Sequence, residues 1–194
     1  MVENANLLGV TDQVSNGILY IIDKVMFPPD LIEYAIDQTA VAGEETILSQ
    51  GNLHIDLGSR SPMEYNSTPP TSGPHYPNIV AWEVYEEPIR YEQVVHNLED
   101  AGVLIYYQCP DGCPDLLAEL TEFAQPYIDE GRHVAVLPND PSWTIGDEPP
   151  LHLDMESTIA VVAWQKILKM DTFDSNSVAA FIDAYEGIDN HAKY

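Results

Sequence analysis

From about residue 51 onward, apolar residues follow patterns that predict strands. Leu53–Leu57 alternates apolar and polar side chains, the pattern of a half-buried strand. Short apolar runs predict further strands at 79–85, 103–108, 133–137 and 158–164. The run at 103–108 is apolar enough to predict a buried strand.

Helical spacing of apolar positions predicts helices at 92–99, 114–128 and 174–185. Pro114 suits a first helical turn, and Asp174 begins the last helix. Residues 61–78 are rich in Pro, Ser and Thr but also in aromatic residues, which predicts an ordered loop packed on the core. The order of elements predicts an α+β fold: one mostly antiparallel sheet with helices packed on a face and with long ordered loops.

The first 30 residues have a different pattern. Ser15-Asn16-Gly17 is a turn signal, and the strand predicted at 18–25 ends before Pro28. The segment resembles the C-terminal hairpin of a fasciclin domain. Tyr20 stands where that hairpin usually has His. The matching positions are Ser15, Asn16, Gly17, Ile22, Asp23, Val25 and Pro28.

Three regions follow from these patterns. Residues 1–30 are predicted to be a fasciclin-like hairpin remnant, and residues 31–50 a connector. The connector includes a short helix at 31–39 with Asp30 as its N-cap. Residues 51–194 are predicted to be the α+β domain.

The charge of the chain excludes some partners. Acidic residues outnumber basic ones 32 to 7, for a formal net charge of −25. Such a surface repels nucleic acids and anionic lipids and attracts cations and basic partners. No apolar run approaches the roughly 18 residues of a membrane span, and the start of the chain lacks the pattern of a signal peptide.

The two cysteines lie in Cys109-Pro110-Asp111-Gly112-Cys113, after a predicted strand and before a predicted helix. Their spacing allows a disulfide, a redox dithiol or a pair of metal-binding thiolates. Thioredoxin-like proteins carry Cys-x-x-Cys at such a turn, but this spacing is one residue longer, which weakens the redox interpretation.

Histidines supply the candidate metal ligands. Three come from separate segments: His54 from a strand, His75 from the Pro-rich loop, and His96 from a helix. Neutral imidazoles suit copper, zinc and nickel. Glu99 or Asp100 adds an oxygen ligand or orients a histidine. The pair His152 and Met155 is a possible further source of ligands and would suit copper(I).

A longer resemblance covers residues 51–187. Tyr65-Asn66-Ser67-x-Pro69-Pro70-Thr71-Ser72-Gly73-Pro74-His75, then Trp82, Val84-Tyr85, 95–99, 102–103, Tyr106, the 109–113 turn and Ala163-Trp164 are similar to domain-of-unknown-function family 3105. The family has no established activity. Its members are often predicted to be membrane-anchored or exported, which implies an extracellular or cell-surface location. The family usually reads Leu-Glu-His-Gly-Gly where this chain reads Leu98-Glu99-Asp100-Ala101-Gly102, so Asp100 replaces a histidine.

These observations predict an extracytoplasmic metal-binding domain for copper or zinc. Two alternatives stay open. The first is a non-catalytic adhesion or assembly module that binds surface proteins or itself through the N-terminal hairpin. The second is a redox or hydrolytic enzyme that uses His96, or Cys109 and Cys113. The chain carries no Gly-x-Ser-x-Gly, phosphate loop or dinucleotide fingerprint, so we assign no catalytic residue.

Overall fold

The structure is a computed structural model that describes residues 7–14, 17–22 and 41–191. The chain divides into two compact units, Met1–Thr39 and Ala40–Tyr194. In the first unit, β1 (Leu7–Val14) and β2 (Gly17–Ile22) form an antiparallel hairpin. The Ser15–Asn16 turn, the end of the strand predicted at 18–25 and the helix predicted at 31–39 lie outside the described residues.

The second unit is built on a five-stranded sheet with the order β3-β7-β6-β4-β5. The strands are β3 (Glu44–Thr46), β4 (Val103–Tyr107), β5 (Val134–Pro138), β6 (Ile159–Ala163) and β7 (Lys166–Met170). Strands β4 and β5 are parallel, whereas β3–β7, β7–β6 and β6–β4 are antiparallel. The predicted α+β class with a mostly antiparallel sheet is therefore confirmed.

Both faces of the sheet are buried because helices cover each side. The helices are α1 (Tyr91–Glu99), α2 (Pro114–Asp129) and α3 (Ser175–Tyr185). Helices α2 and α3 pack on the face that carries Val103 and Ile105. Helix α1 packs on the opposite face, against Leu104 and Tyr106. Strand β4 is therefore buried along its whole length, in agreement with its uninterrupted apolar run.

Two predicted strands do not form. Residues 53–57 and 79–85 contribute only isolated bridges, His54 with His75 and Val84 with Val136. The apolar side chains of residues 53–57 do not pack on a sheet, since Leu53 is 59% and Leu57 67% exposed. Its neighbour is the Pro-rich loop, and proline has no N–H group with which to extend a ladder.

The Pro-rich loop and the predicted connector both take part in the domain. Residues 69–76 of the loop are buried, which confirms that it packs on the core. Strand β3 lies within the predicted connector and pairs with β7 as the edge strand of the sheet. The sequence analysis predicts neither β3 nor β7.

Candidate metal centre

A short parallel pairing of two loops places His54 beside His75. The N–H of Gly73 donates to Gly51 O (2.8 Å), that of His75 to Leu53 O (2.9 Å), and that of Ile55 to His75 O (2.8 Å). The two imidazole rings consequently lie with centroids 5.0 Å apart. The main chain of both loops thus holds His54 and His75 side by side.

Helix α1 brings a third ring and a carboxylate to the same place. His96 and Glu99 are three residues apart, so they share a face of the helix. The His96 centroid lies 5.0 Å from that of His54 and 5.0 Å from that of His75. The structure therefore brings together the three histidines that the sequence predicts as ligands.

The turn after α1 is tight, and it leads the chain directly from the histidine cluster into β4. A Cβ at Gly102 would lie 2.3 Å from the Trp82 ring and 2.6 Å from Asn97 O, so a side chain has no room there. The close packing of this turn anchors the end of α1 against the sheet.

Glu99 is the carboxylate at the centre of the cluster. Its side chain is 1% exposed, and its Oε2 lies 3.0 Å from His75 Nε2 and 3.7 Å from His54 Nε2. The other oxygen, Oε1, accepts a hydrogen bond from the Asn52 amide at 2.6 Å. A buried carboxylate needs a cation or several donors as partners, and Asn52 supplies one donor.

Hydrogen bonds to main-chain carbonyls fix the tautomers of His75 and His96. Nδ1–H of His75 donates to Gly73 O (2.7 Å), and Nδ1–H of His96 donates to Tyr76 O (3.1 Å). A carbonyl oxygen only accepts, so each Nδ1 carries the proton and each neutral ring keeps its lone pair on Nε2. Burial lowers the pKa of both His75 and His96, although Glu99 opposes this in each case. Burial therefore favours the neutral form of both rings.

One face of the cluster is open to solvent. The His54 side chain is 48% exposed, whereas that of His75 is completely buried. His54, His75, His96 and Glu99 each offer a ligand atom, and these atoms lie within 4.8 Å of one another. Two ligands of a tetrahedral zinc ion are about 3.3 Å apart, so small side-chain movements suffice to enclose an ion.

A second group shares His96 and adds His191 and Asp100. His191 Nε2 lies 3.3 Å from Asp100 Oδ1 and 3.9 Å from Glu99 Oε2. His96 Nε2 lies 3.7 Å from Asp100 Oδ2. Asp100 is thus at the margin of the cluster.

The sequence analysis did not identify His191. The chain after α3 returns to the end of α1, where Gly187 N–H donates to Ala101 O (2.8 Å) and Asn190 N–H donates to Glu99 O (3.1 Å). A hydrogen bond with Asp189 raises the pKa of His191. Only this long-range return brings His191 near, and no local spacing signals it.

The structure does not bring His152 or Met155 to this cluster. Nδ1 of His152 accepts from Asp140 N–H (3.1 Å), and its Nε2–H donates to Ile89 O (2.8 Å). Met155 is fully buried in the hydrophobic core beneath α1. His152 has no free ring nitrogen, and Met155 is enclosed in the apolar core, so the structure gives no support to this pair as additional ligands.

The cysteines form a disulfide, Cys109–Cys113, with Cα atoms 5.8 Å apart. The disulfide confirms one of the three predicted alternatives for this pair. The disulfide lies beyond the C-terminal end of β4, whereas the histidine cluster lies at the N-terminal end of that strand. Five strand residues separate the two, a distance of about 17 Å, so the sulfurs take no part in the cluster.

The fold and the site define a class: an α+β domain with a disulfide and a histidine–carboxylate cluster open to solvent. Among the helices in the described part of the chain, none is long and apolar enough to cross a membrane.

A family model described as "Protein of unknown function (DUF3105)" matches residues 57–193, and the chain belongs to this family. The match confirms the main predicted resemblance. It does not extend to the hairpin, and the fasciclin resemblance is not supported. No curated protein and no solved structure matches the chain significantly.

Proposed function

We propose that this domain binds a copper or zinc ion through His54, His75, His96 and Glu99, with His191 and Asp100 at the margin of the site. Three features support this proposal: the fixed tautomers of His75 and His96, the buried carboxylate of Glu99, and the kinds of donor atom.

The single observation that carries the proposal is the contact between His75 and Glu99. In the neutral form of His75 that burial favours, Nε2 has a lone pair and no proton, yet it lies 3.0 Å from a carboxylate oxygen. Two acceptors this close repel each other unless a proton or a cation lies between them. Burial disfavours the protonated imidazole, as the lowered pKa of His75 reflects. A metal ion resolves this contact because both atoms then become ligands.

The hydrogen bonds that hold the candidate ligands resemble those of known metal sites. Ligating histidines usually donate their other ring N–H to a carbonyl or carboxylate, which fixes the ring and raises its basicity. His75 and His96 both do so, through Gly73 O and Tyr76 O. Asn52 plays the corresponding part for Glu99.

The donor atoms favour a metal such as copper(II) or zinc over calcium and magnesium. Three imidazole nitrogens with one carboxylate oxygen suit these borderline metals, whereas calcium and magnesium prefer all-oxygen sites. A thiolate or thioether would favour copper(I). Cys109 and Cys113 are joined in the disulfide, and Met155 is buried in the hydrophobic core.

We place this function at the cell surface or outside the cell. The Cys109–Cys113 disulfide supports such a location, since disulfides persist in oxidising compartments. The family resemblance implied the same location. Fractionation of the native host cells, with detection of the oxidised chain, tests this part separately from metal binding.

The test of metal binding measures ions bound per chain. The purified protein is stripped with a chelator, dialysed against zinc or copper(II), and analysed by elemental mass spectrometry. We expect one tightly bound ion in the wild type and its loss in His75→Ala. His133→Ala is the matched control, because that ring stacks on Trp82 and lies outside the cluster. Equal stoichiometry in wild type and His75→Ala would overturn the proposal.

A further inference from the structure

The disulfide occupies a junction that the metal proposal does not use. Cys109 follows β4, and Cys113 is the N-cap of α2. Helix α2 leads into β5, which pairs in parallel with β4. Thioredoxin-like proteins carry out thiol–disulfide exchange with a cysteine pair between a strand and a helix of such a unit, although Cys109 and Cys113 are one residue further apart than the cysteines of that motif.

A cavity of about 570 Å³ lies beside this junction, and Cys109 forms part of its wall. Tyr107 and Pro138, the last residues of β4 and β5, also line it. The cavity therefore opens at the carboxyl ends of two parallel strands, which is where open sheets of this kind bind ligands. Cys109 is only partly buried, and it borders this cavity.

The wall of the cavity is strongly acidic. Its carboxylates are Glu86, Glu87, Asp140 and Asp154. Side chains of one sign in a cleft raise the local concentration of oppositely charged molecules and repel those of like charge. The cavity thus favours a thiol carried on a basic peptide segment and disfavours small anionic thiols.

The two sulfurs are not equivalent. Cys109 lines the cavity, whereas Cys113 is outside its wall, at the start of a 16-residue helix. The positive end of a helix stabilises a thiolate, and a stabilised thiolate leaves faster in exchange. Attack from the cavity on Cys109, with Cys113 as the leaving group, is therefore the favoured direction.

We propose that Cys109–Cys113 is a thiol–disulfide exchange site whose partner is a dithiol on a basic polypeptide segment, docked in the acidic cavity beside Cys109. The inference is independent of the metal site, which lies at the other end of β4.

The exchange takes place in two nucleophilic attacks. A partner thiolate attacks Cys109 Sγ and forms a mixed disulfide, while the Cys109–Cys113 bond breaks and its electron pair leaves on Cys113 Sγ. The partner's second thiolate then attacks the partner sulfur of the mixed disulfide and releases Cys109 as a thiolate. The partner is oxidised by two electrons, and the two protons that its thiols release pass through solvent to Cys109 and Cys113.

The first experiment compares rates of reduction of the full-length oxidised protein by two synthetic dithiol peptides. One has lysines flanking its cysteines and the other has glutamates. We expect the lysine peptide to react at least about tenfold faster at low salt, with the advantage shrinking as salt is added. Equal rates, or no reduction by either peptide under conditions that reduce a mixed peptide disulfide, would overturn the proposal.

Paired variants locate the charge effect. Glu86→Gln with Glu87→Gln removes two carboxylates from the cavity wall, and we expect it to slow the lysine peptide several-fold. The control is Glu119→Gln with Glu122→Gln, which removes two exposed carboxylates from α2 outside that wall. An equal effect of the two double variants contradicts docking in the cavity.

A third measurement identifies which sulfur is attacked. The wild-type protein is treated with a basic peptide that carries one thiol, quenched in acid, alkylated and mapped by tandem mass spectrometry. We expect the peptide on Cys109 and the alkyl group on Cys113. The reverse assignment would refute the direction of exchange, and with it the role given to the cavity.

Discussion

His75 and His152 are equally buried, yet they differ in what their second nitrogen contacts. Their exposed fractions are 0% and 1%, and burial lowers the pKa of both, that of His152 to about 4. Both nitrogens of His152 have protein partners of the right kind, one donor and one acceptor. Nε2 of His75 instead faces the Glu99 carboxylate and two other imidazoles.

The comparison shows that burial alone does not distinguish a ligand from a core residue. His152 stacks on Tyr91 and completes the packing beneath α1. The Nδ1–H of His75 is likewise bonded to the main chain, but the lone pair on its Nε2 points at the Glu99 carboxylate. We take such a mismatch between a fixed tautomer and its neighbour as the sign of a cation site.

The largest effect is expected from a change that gives His75 the environment of His152. Glu99→Gln keeps the shape of the side chain but places an amide, which can donate to Nε2, beside His75. We expect metal affinity to fall by more than about 100-fold, beyond the range of changes to residues that only support ligands. Isothermal titration with zinc measures it.

The matched control for Glu99→Gln is Glu92→Gln, a buried glutamate of the same helix that accepts from Ser61 N–H. We expect Glu92→Gln to leave metal affinity unchanged. Similar losses in the two variants would mean that α1 is damaged generally, and that Glu99 is no ligand.

The second prediction concerns His152 and pH. Its pKa is lowered from 6.5 to about 4 by burial, so the unfolded chain takes up a proton first as pH falls. The free energy of unfolding therefore rises with pH between these two pKa values. The stability that neutral His152 contributes is lost as the pH falls below about 6.5. Between about pH 7.5 and about pH 5, His152 accounts for a loss of about 2 kcal/mol.

Urea unfolding at the two pH values measures this loss, with His152→Gln as the comparison. The glutamine cannot titrate, so its pH dependence should be smaller by about 2 kcal/mol than that of the wild type. Identical pH dependence in the two proteins would show that His152 is not held neutral by burial.

The third prediction tests the support of Glu99. Asn52→Ala removes the amide that donates to Glu99 Oε1, which leaves the carboxylate free to rotate. We expect metal affinity to fall about tenfold, or about 1.4 kcal/mol. Asn66→Ala is the control, since Asn66 donates to Leu48 O in an exposed loop. An unchanged affinity in Asn52→Ala would exclude a supporting role.

The smallest effect is expected from His191→Ala. His191 is 45% exposed and hydrogen-bonded to Asp189, so it is a peripheral ligand. We expect a loss of no more than about tenfold in affinity, less than for Glu99→Gln. Titration beside His133→Ala checks it. A loss as large as that of Glu99→Gln would move the ion toward Asp100 and His191.

The sequence predicted much of the cluster because its parts carry strong local signals. The Pro-rich loop marks His75 as held by rigid backbone, and helical spacing puts His96 and Glu99 on one face. The three helices are confirmed to within two residues of their predicted ends.

What the sequence did not predict depends on contacts between distant segments. Asn52 meets Glu99 across 47 positions, and His191 arrives through the return of the chain after α3. The alternation at 53–57 predicted a strand, yet its only sheet-like contact is the bridge from His54 to His75. That bridge assembles the site without building a sheet.

The edge strand β3 has a practical consequence for anyone who expresses this domain. The family match begins at residue 57, but Glu44–Thr46 pairs with β7 and the Glu44 carboxylate accepts from Lys166 Nζ and from the Tyr185 hydroxyl. Truncation at the family boundary would strip the partner from β7 and expose its main-chain N–H and C=O groups. Unpaired edges of this kind template aggregation, so a soluble fragment should begin before β3.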